Sequence, residues 1–205
     1  YDRLVEYAVE AAGFSHYNGF KYGYMPRRDD GTRMHIHEGE RRARTVDIWK
    51  VHGSLDWFKV NGALVSAALV RGLTPDLEPQ IITPGITKYQ NALTEPYRSI
   101  IHGADQALAG ATSYLCVGYG FNDNHIHPKI IEKIRRDDTP IVVLAKQVTE
   151  ATRKHLFDGQ CRNYLVLEES GTGTKAYSPE YVAGIDLPGR RLWTLDGFIE
   201  AIVPR

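Results

Sequence analysis

The sequence predicts an α/β protein: a Rossmann-like, mostly parallel sheet with flanking helices. Three observations carry this. From residue 97 onward, segments of helical period alternate with short apolar runs in the order helix, strand, helix, strand, helix, strand, helix. The runs "TSYLCVGYG", "TPIVVLA" and "NYLVLE" read as buried strands, as expected when helices cover both faces of a parallel sheet. The length of 205 residues and the 42% hydrophobic content suit one domain spanning 1–205, or one domain with an appended subdomain, with irregular or hairpin subregions at 14–44 and 55–80.

The elements follow in order. Leu4, Val5, Ala8, Val9 and Ala12 fall at helical spacing, with Gly13 as the stop. Because the chain opens at a helix with no strand to feed it, a first strand and its glycine-rich loop are expected upstream of Tyr1. Residues 14–44 show neither strand nor helix period and read as an irregular loop or small insertion. Residues 45–51 read as a strand, with Val46 and Ile48 alternating against Asp47 and Trp49, and this strand is expected to join the parallel sheet. "WFKVNGALV" is a hairpin, because Asn61-Gly62 suits a tight primed turn. Residues 79–83 form a short strand ended by Pro84-Gly85. Tyr97, Ile100, Ile101, Ala104 and Leu108 make an amphipathic helix. "NDNHIHPKIIEKIRR" is a helix capped by Asn122 or Asp123, with Pro128 in its first turn. "TEATRKHLF" is a helix with Thr149 as cap, "ESGTGTKAY" is a loop, and residues 195–202 are a last helix.

Composition narrows the function. Lys+Arg and Asp+Glu number 25 each, so formal charge is zero and nothing favours nucleic-acid wrapping or an anionic membrane. No apolar run approaches the roughly 20 residues of a membrane-spanning helix, and no signal peptide opens the chain. Cys116 and Cys161 lie far apart in apolar segments and read as buried thiols of a reducing, cytoplasmic setting.

Two short motifs bear chemistry. "KVHGSLDW" places His52 before Gly53 and Ser54, either as a turn residue or as a base carried into a cleft. "VGYGFNDNHI" has the form strand, glycine turn, helix start. Gly118 and Gly120 would let a ligand approach the backbone, and the helix N-terminus would favour an anionic group. The same pattern also serves as a plain tight connection. His35 and His37 share a strand face if extended but have no third ligand beside them, and they read as loop residues. His125 and His127 flank the helix start and read as caps or solvated groups. Lys146 and the pair Glu168-Glu169 read as surface.

Taken in order, "YDRLVE", "KVHGSLDW", "ITPG..KY" and "VGYGFNDNHI" resemble the sirtuin-like domains of bacterial antiphage defence proteins. The resemblance covers the first dozen residues and most of the chain after residue 44. It implies an NAD-binding domain. Tyr1-Asp2 resembles the tail of the sirtuin Thr-x-Asn-x-Asp segment, which implies that Asp2 borders the nicotinamide pocket and that the matching Asn precedes Tyr1. His52, Gly53 and Ser54 resemble the sirtuin His-Gly-Ser, which implies that His52 is the catalytic residue. Gly118, Tyr119, Gly120, Phe121, Asn122 and Asp123 resemble the Gly-Tyr-x-Phe-Asn-Asp turn of the defence family, which implies contacts to the cofactor. Protein-deacylating sirtuins carry a zinc ribbon with two Cys-x-x-Cys pairs. This chain has two cysteines in all, so no zinc of that kind is expected.

The implied activity is cleavage of the nicotinamide–ribose bond of NAD by hydrolysis, giving nicotinamide and ADP-ribose or a cyclised form, with NAD as substrate rather than resident cofactor. Histidine suits the base, since its unperturbed pKa near 6.5 leaves much of it neutral at cell pH. The resemblance further implies a homo-oligomer and a partner sensor, such as a hexameric HerA-type ATPase, an Argonaute-like protein or a long helical receptor. Direct sequence-specific nucleic-acid binding is not expected. Two other readings stay open: an NAD-dependent protein deacylase, and a non-catalytic nucleotide-binding oligomerisation module.

Overall fold

The computed structural model describes residues 2–23, 26–28, 34–67, 77–82, 95–123 and 126–203. The fold is mixed α/β, with parallel and antiparallel sheets, consistent with the Rossmann-like class. Two compact units are present, residues 1–104 and 105–205.

The first unit opens with α1 (Leu4–Ala11), which ends as expected at Gly13, whose φ is +76°. Short strands follow: β1 (Ser15–Tyr17), β2 (His37–Glu38), β3 (Arg41–Arg42) and β4 (Thr45–Asp47). β1 pairs parallel with β4, and β2 with β3 as a small hairpin. Among the described residues of 14–44 no element exceeds three residues, in keeping with the missing period. β5 (Gly53–Val60), β6 (Ala63–Ser66) and β7 (Glu78–Ile81) then form an antiparallel sheet of order β6-β5-β7. The β5–β6 turn is the expected one, with positive φ at both Asn61 (48°) and Gly62 (78°). Pro84-Gly85, the expected end of the strand near 79–83, lies outside the described residues.

The strand expected over 45–51 needs correction on two counts. It stops at Asp47, and it belongs with β1 rather than with the large parallel sheet. Its alternation is that of a half-exposed ribbon strand: Val46 is exposed, whereas a strand covered on both faces would be apolar throughout. His52 therefore does not end a strand. It immediately precedes one.

The second unit holds the regular α/β layers. α2 (Tyr97–Gly110) starts among the residues of the first unit and ends in the second, which continues with β8 (Tyr114–Val117), α3 (His127–Arg136), β9 (Ile141–Ala145), α4 (Glu150–Leu156), β10 (Tyr164–Ser170), β11 (Gly173–Ser178), β12 (Tyr181–Leu187) and α5 (Leu195–Ile202). The sheet order is β12-β11-β10-β9-β8, with β8, β9 and β10 parallel and the last two strands antiparallel. Alternation splits the side chains between two layers. Ile141, Val143 and Val166 pack with Ile130, Ile131 and Ile134 of α3, while Leu144 and Leu167 pack with Phe198 of α5.

Two further expectations are corrected here. "ESGTGTKAY" is not a loop: Ser170 pairs with Gly173 across a tight turn, and β11 buries Thr174 and Tyr177. Glycine and threonine hid a strand whose burial does not alternate strictly, since its pairing with β12 shifts register between Ala176 and Ser178. The helix after "NDN" starts later than expected, with Ile126 at its N-cap and no side-chain cap. Asp123 serves it through its backbone carbonyl, which accepts the N–H groups of Ile126 and His127. Pro128 does sit in the first turn, and Thr149 does cap α4 by accepting the N–H of Thr152. No described helix is long and apolar enough to cross a membrane.

Candidate functional site

In the first unit the chain leaves β4 and makes a four-residue turn, Lys50-Val51-His52-Gly53. The Gly53 N–H donates to the Lys50 carbonyl at 3.0 Å, which places His52 at the third position of a β-turn. The His52 carbonyl in turn accepts the Ile82 N–H at 2.9 Å. Gly53 cannot be another residue. Its φ is +82°, and a Cβ there would lie 2.1 Å from the Gln80 carbonyl oxygen. So the glycine after the histidine is fixed by backbone shape and by the passage of β7.

A cleft of about 330 Å³ opens beside this turn, lined by Asp2, Glu6, Trp49, Lys50 and His52 among others. That is near the small end of ligand pockets, which span roughly 300–1,000 Å³. Asp2 is exposed, and its Oδ1 accepts the Leu4 N–H at 2.9 Å. That hydrogen bond is the main reason its carboxyl is held below the usual range.

Behind the turn lies a buried polar network. Lys50 Nζ pairs with Glu6 Oε1 at 2.5 Å, donates to Ser54 Oγ at 2.9 Å, and donates to the Asp2 carbonyl. Ser54 Oγ donates to Asp56 Oδ1 at 2.5 Å, and Ser66 Oγ to Asp56 Oδ2 at 2.7 Å. Arg3 Nε lies 3.6 Å from Asp56 Oδ2. Glu6 is 2% exposed and Ser54 fully buried. Removing one partner of a buried ion pair costs about 3–5 kcal/mol, because the other charge is left without compensation.

In the second unit, β8 ends in the turn Gly118–Asp123, at the carboxyl end of a parallel strand where open α/β sheets take ligands. Gly118 has φ +65°, and a Cβ on it would meet nothing within 4 Å. A Cβ on Gly120 would make a tight 3.0 Å contact with Thr149 Cγ2, and the Gly120 carbonyl accepts the Thr149 hydroxyl at 2.7 Å. Phe121 is 1% exposed and held at φ +57°, an uncommon and strained conformation for a bulky residue. Its ring lies 4.9 Å from that of Tyr119, whose buried hydroxyl is raised in pKa, chiefly by burial. Asn122 is exposed and Asp123 half-buried. The helix start offers an anion fewer donors than the sequence pattern implies. Pro128 has no N–H, and those of Ile126 and His127 already serve the Asp123 carbonyl.

A SIR2-like domain matches residues 1–169 of the chain. The chain belongs to this family. No curated protein matches the chain. SIR2-like domains bind NAD, and the match runs through both the His52 turn and the Gly118–Asp123 turn. Within the matched span, Asp2 and His52 border the cleft of the first unit, and in the second unit the Cβ position of Gly118 is open.

The structure brings Asp2, His52 and Gly53 to one cleft and encloses Ser54 in the network behind it. Gly118, Tyr119, Gly120, Phe121, Asn122 and Asp123 form one turn of the other unit. Of the remaining histidines, His35 accepts from Arg42, His37 lies on β2, and His125 is outside the described residues. No cluster of three or more metal-ligating side chains occurs among the described residues.

Sequence reasoning passed over Glu6, Lys50 and Asp56. The available signal was a charge, Glu6, set among the apolar positions of α1, and a lysine and an aspartate flanking "HGS". It also misread Glu168 as surface. The Glu168 carboxylate accepts the Val148 N–H at 2.7 Å and the Tyr177 hydroxyl at 2.6 Å, with Arg153 at 3.5 Å. Lys146 is exposed, as expected.

Proposed function

We propose that this SIR2-like domain hydrolyses NAD at the nicotinamide–ribose bond, with His52 as general base. The observation that carries the reading is the His52 turn, pinned on both sides by backbone hydrogen bonds and set on a cleft shared with Asp2. Nicotinamide is a cationic leaving group in NAD, so it departs neutral with the bonding electron pair and needs no acid. Water supplies the oxygen to the sugar carbon, and its proton passes to the base. The products are ADP-ribose, nicotinamide and one proton. A single positioned base fits this stoichiometry.

The two-cysteine count favours hydrolysis over protein deacylation, because the deacylase zinc ribbon takes four. The resemblance to antiphage proteins supports a role in which infection switches the domain on and NAD is depleted in the cytoplasm. The same resemblance supports a homo-oligomer working with a sensor, such as a HerA-type ATPase.

The test is nicotinamide release from NAD by the purified protein and by His52→Ala. The rate should fall roughly 10²- to 10⁴-fold in the folded variant. Wild-type hydrolysis by His52→Ala would return the histidine to a plain turn residue. Release that requires an added acyl-lysine peptide would make the domain a deacylase.

A further inference from the structure

We infer that Lys50 is a positioning residue, and that Glu6, Lys50, Ser54 and Asp56 form a buried brace that sets His52 relative to Asp2 across the cleft. The inference rests on the reading of His52 as the base.

The first observation is the inverted burial of α1. Leu4, Val5 and Tyr7 are exposed, at 70%, 55% and 55%, while Glu6 is the helix's buried residue at 2%. Among the described residues, α1 buries the Glu6 carboxylate and none of its large apolar side chains. Its first turns are tied by the Glu6–Lys50 ion pair, with Arg3 facing Asp56.

The second observation is the saturation of Lys50. An ammonium has three N–H donors. Here three acceptors take them: Glu6 Oε1, Ser54 Oγ and the Asp2 carbonyl. Lys50 therefore has no donor left for a ligand, and its ammonium is not a substrate contact. It ties together three points: Asp2, which precedes the Arg3 N-cap of α1, Glu6 in the body of α1, and Ser54 at the start of β5. His52 lies between Lys50 and its partner Ser54, two residues after the one and two before the other. The Lys50 carbonyl also accepts the Gly53 N–H that closes the turn.

The third observation is the backing of Ser54. Its hydroxyl accepts from Lys50 and donates to Asp56, whose second oxygen is held by Ser66 and faced by Arg3. The chain of contacts thus returns to α1 at Arg3. This closed loop fixes both walls of the cleft to each other within the first unit. Misplacement of a reacting group by about 1 Å can lower a rate roughly 100-fold.

The charged side chains bordering the cleft are Asp2 and Glu6 from the α1 segment and Lys50 from the turn, with Arg3 and Asp56 behind them. Removing the Lys50 cation favours a protonated His52. Removing the Glu6 anion disfavours it. The experiment compares Lys50→Met, Glu6→Gln and the paired variant Glu6→Gln with Lys50→Met, measured as kcat and KM for NAD over pH, with circular dichroism and melting as the folding control. Lys50→Met alone leaves a buried carboxylate without its partner, so the paired variant carries the decision if that single variant does not fold.

The expected result is a kcat about 10- to 100-fold low in the folded paired variant, with KM within about 3-fold of wild type. The acidic limb of kcat/KM should move to higher pH in Glu6-intact Lys50→Met and to lower pH in Glu6→Gln. Loss of fold alone would move neither limb in this opposed way. A wild-type kcat in the folded paired variant, or a loss confined to KM, overturns the inference. His52→Ala separates the two levels. If it retains activity, the general-base reading has failed. If it is inactive while the paired variant behaves as wild type, only the brace has failed.

Discussion

The two motif-bearing turns are built on opposite principles. In the second unit the glycine turn rises from a sheet whose cores are apolar on both sides, with Val143, Ile134 and Val166 all at 0% exposure. In the first unit the His52 turn rests on buried polar and charged groups: Glu6, Asp56 and Ser54 occupy interior positions, and Leu4, Val5 and Tyr7 of α1 face solvent. Apolar packing is non-directional, so it tolerates repacking and says little about where one atom must be. A hydrogen-bonded ion network is directional and fails when one member is removed. The difference teaches that the turn at the carboxyl end of β8 is held by a generic scaffold, whereas the histidine is held by a dedicated one.

Three substitutions break or sharpen this contrast. The largest effect should come from Ile134→Ala on α3, whose side chain is fully enclosed. Leaving a cavity there should cost about 2–5 kcal/mol in urea unfolding. The His52 turn belongs to the other unit, so the kcat of the still-folded fraction should stay near wild type. A kcat loss as large as that of His52→Ala would end the claim that the two regions are held independently.

Gly118→Val comes next. A β-branched residue at φ +65° should cost about 1–3 kcal/mol in strain. The added side chain also projects into the open space at the turn, so KM for NAD should rise more than kcat falls. This is the reverse of the pattern expected for His52→Ala. An unchanged KM would show that the ligand does not approach this turn.

The smallest effect should be that of Leu4→Ala. Its side chain is 70% exposed on a helix held by charge, so the melting free energy should move by no more than about 0.5 kcal/mol. A loss comparable to Ile134→Ala would mean that α1 is seated by hydrophobic contact after all.

The sequence by itself determined the elements whose periodicity is strong. The three parallel strands β8, β9 and β10, the isoleucine face of α3, the Thr149 cap, the Asn61-Gly62 hairpin and α5 all follow from local pattern. It also marked His52 and the Gly118–Asp123 turn, because glycines beside a histidine or after an apolar strand constrain backbone shape. Tertiary structure decided the rest. It placed β4 against β1, since strand pairing joins residues about 30 positions apart and leaves no local trace. It turned "ESGTGTKAY" into a hairpin, because the pairing of Ser170 with Gly173 overrides low strand propensity. Above all it buried Glu6 against the half-buried Lys50. A charged residue reads as surface until its partner is known, and that partner lies 44 positions along the chain. Burial of charge is a property of the pair, and only the folded chain brings the pair together.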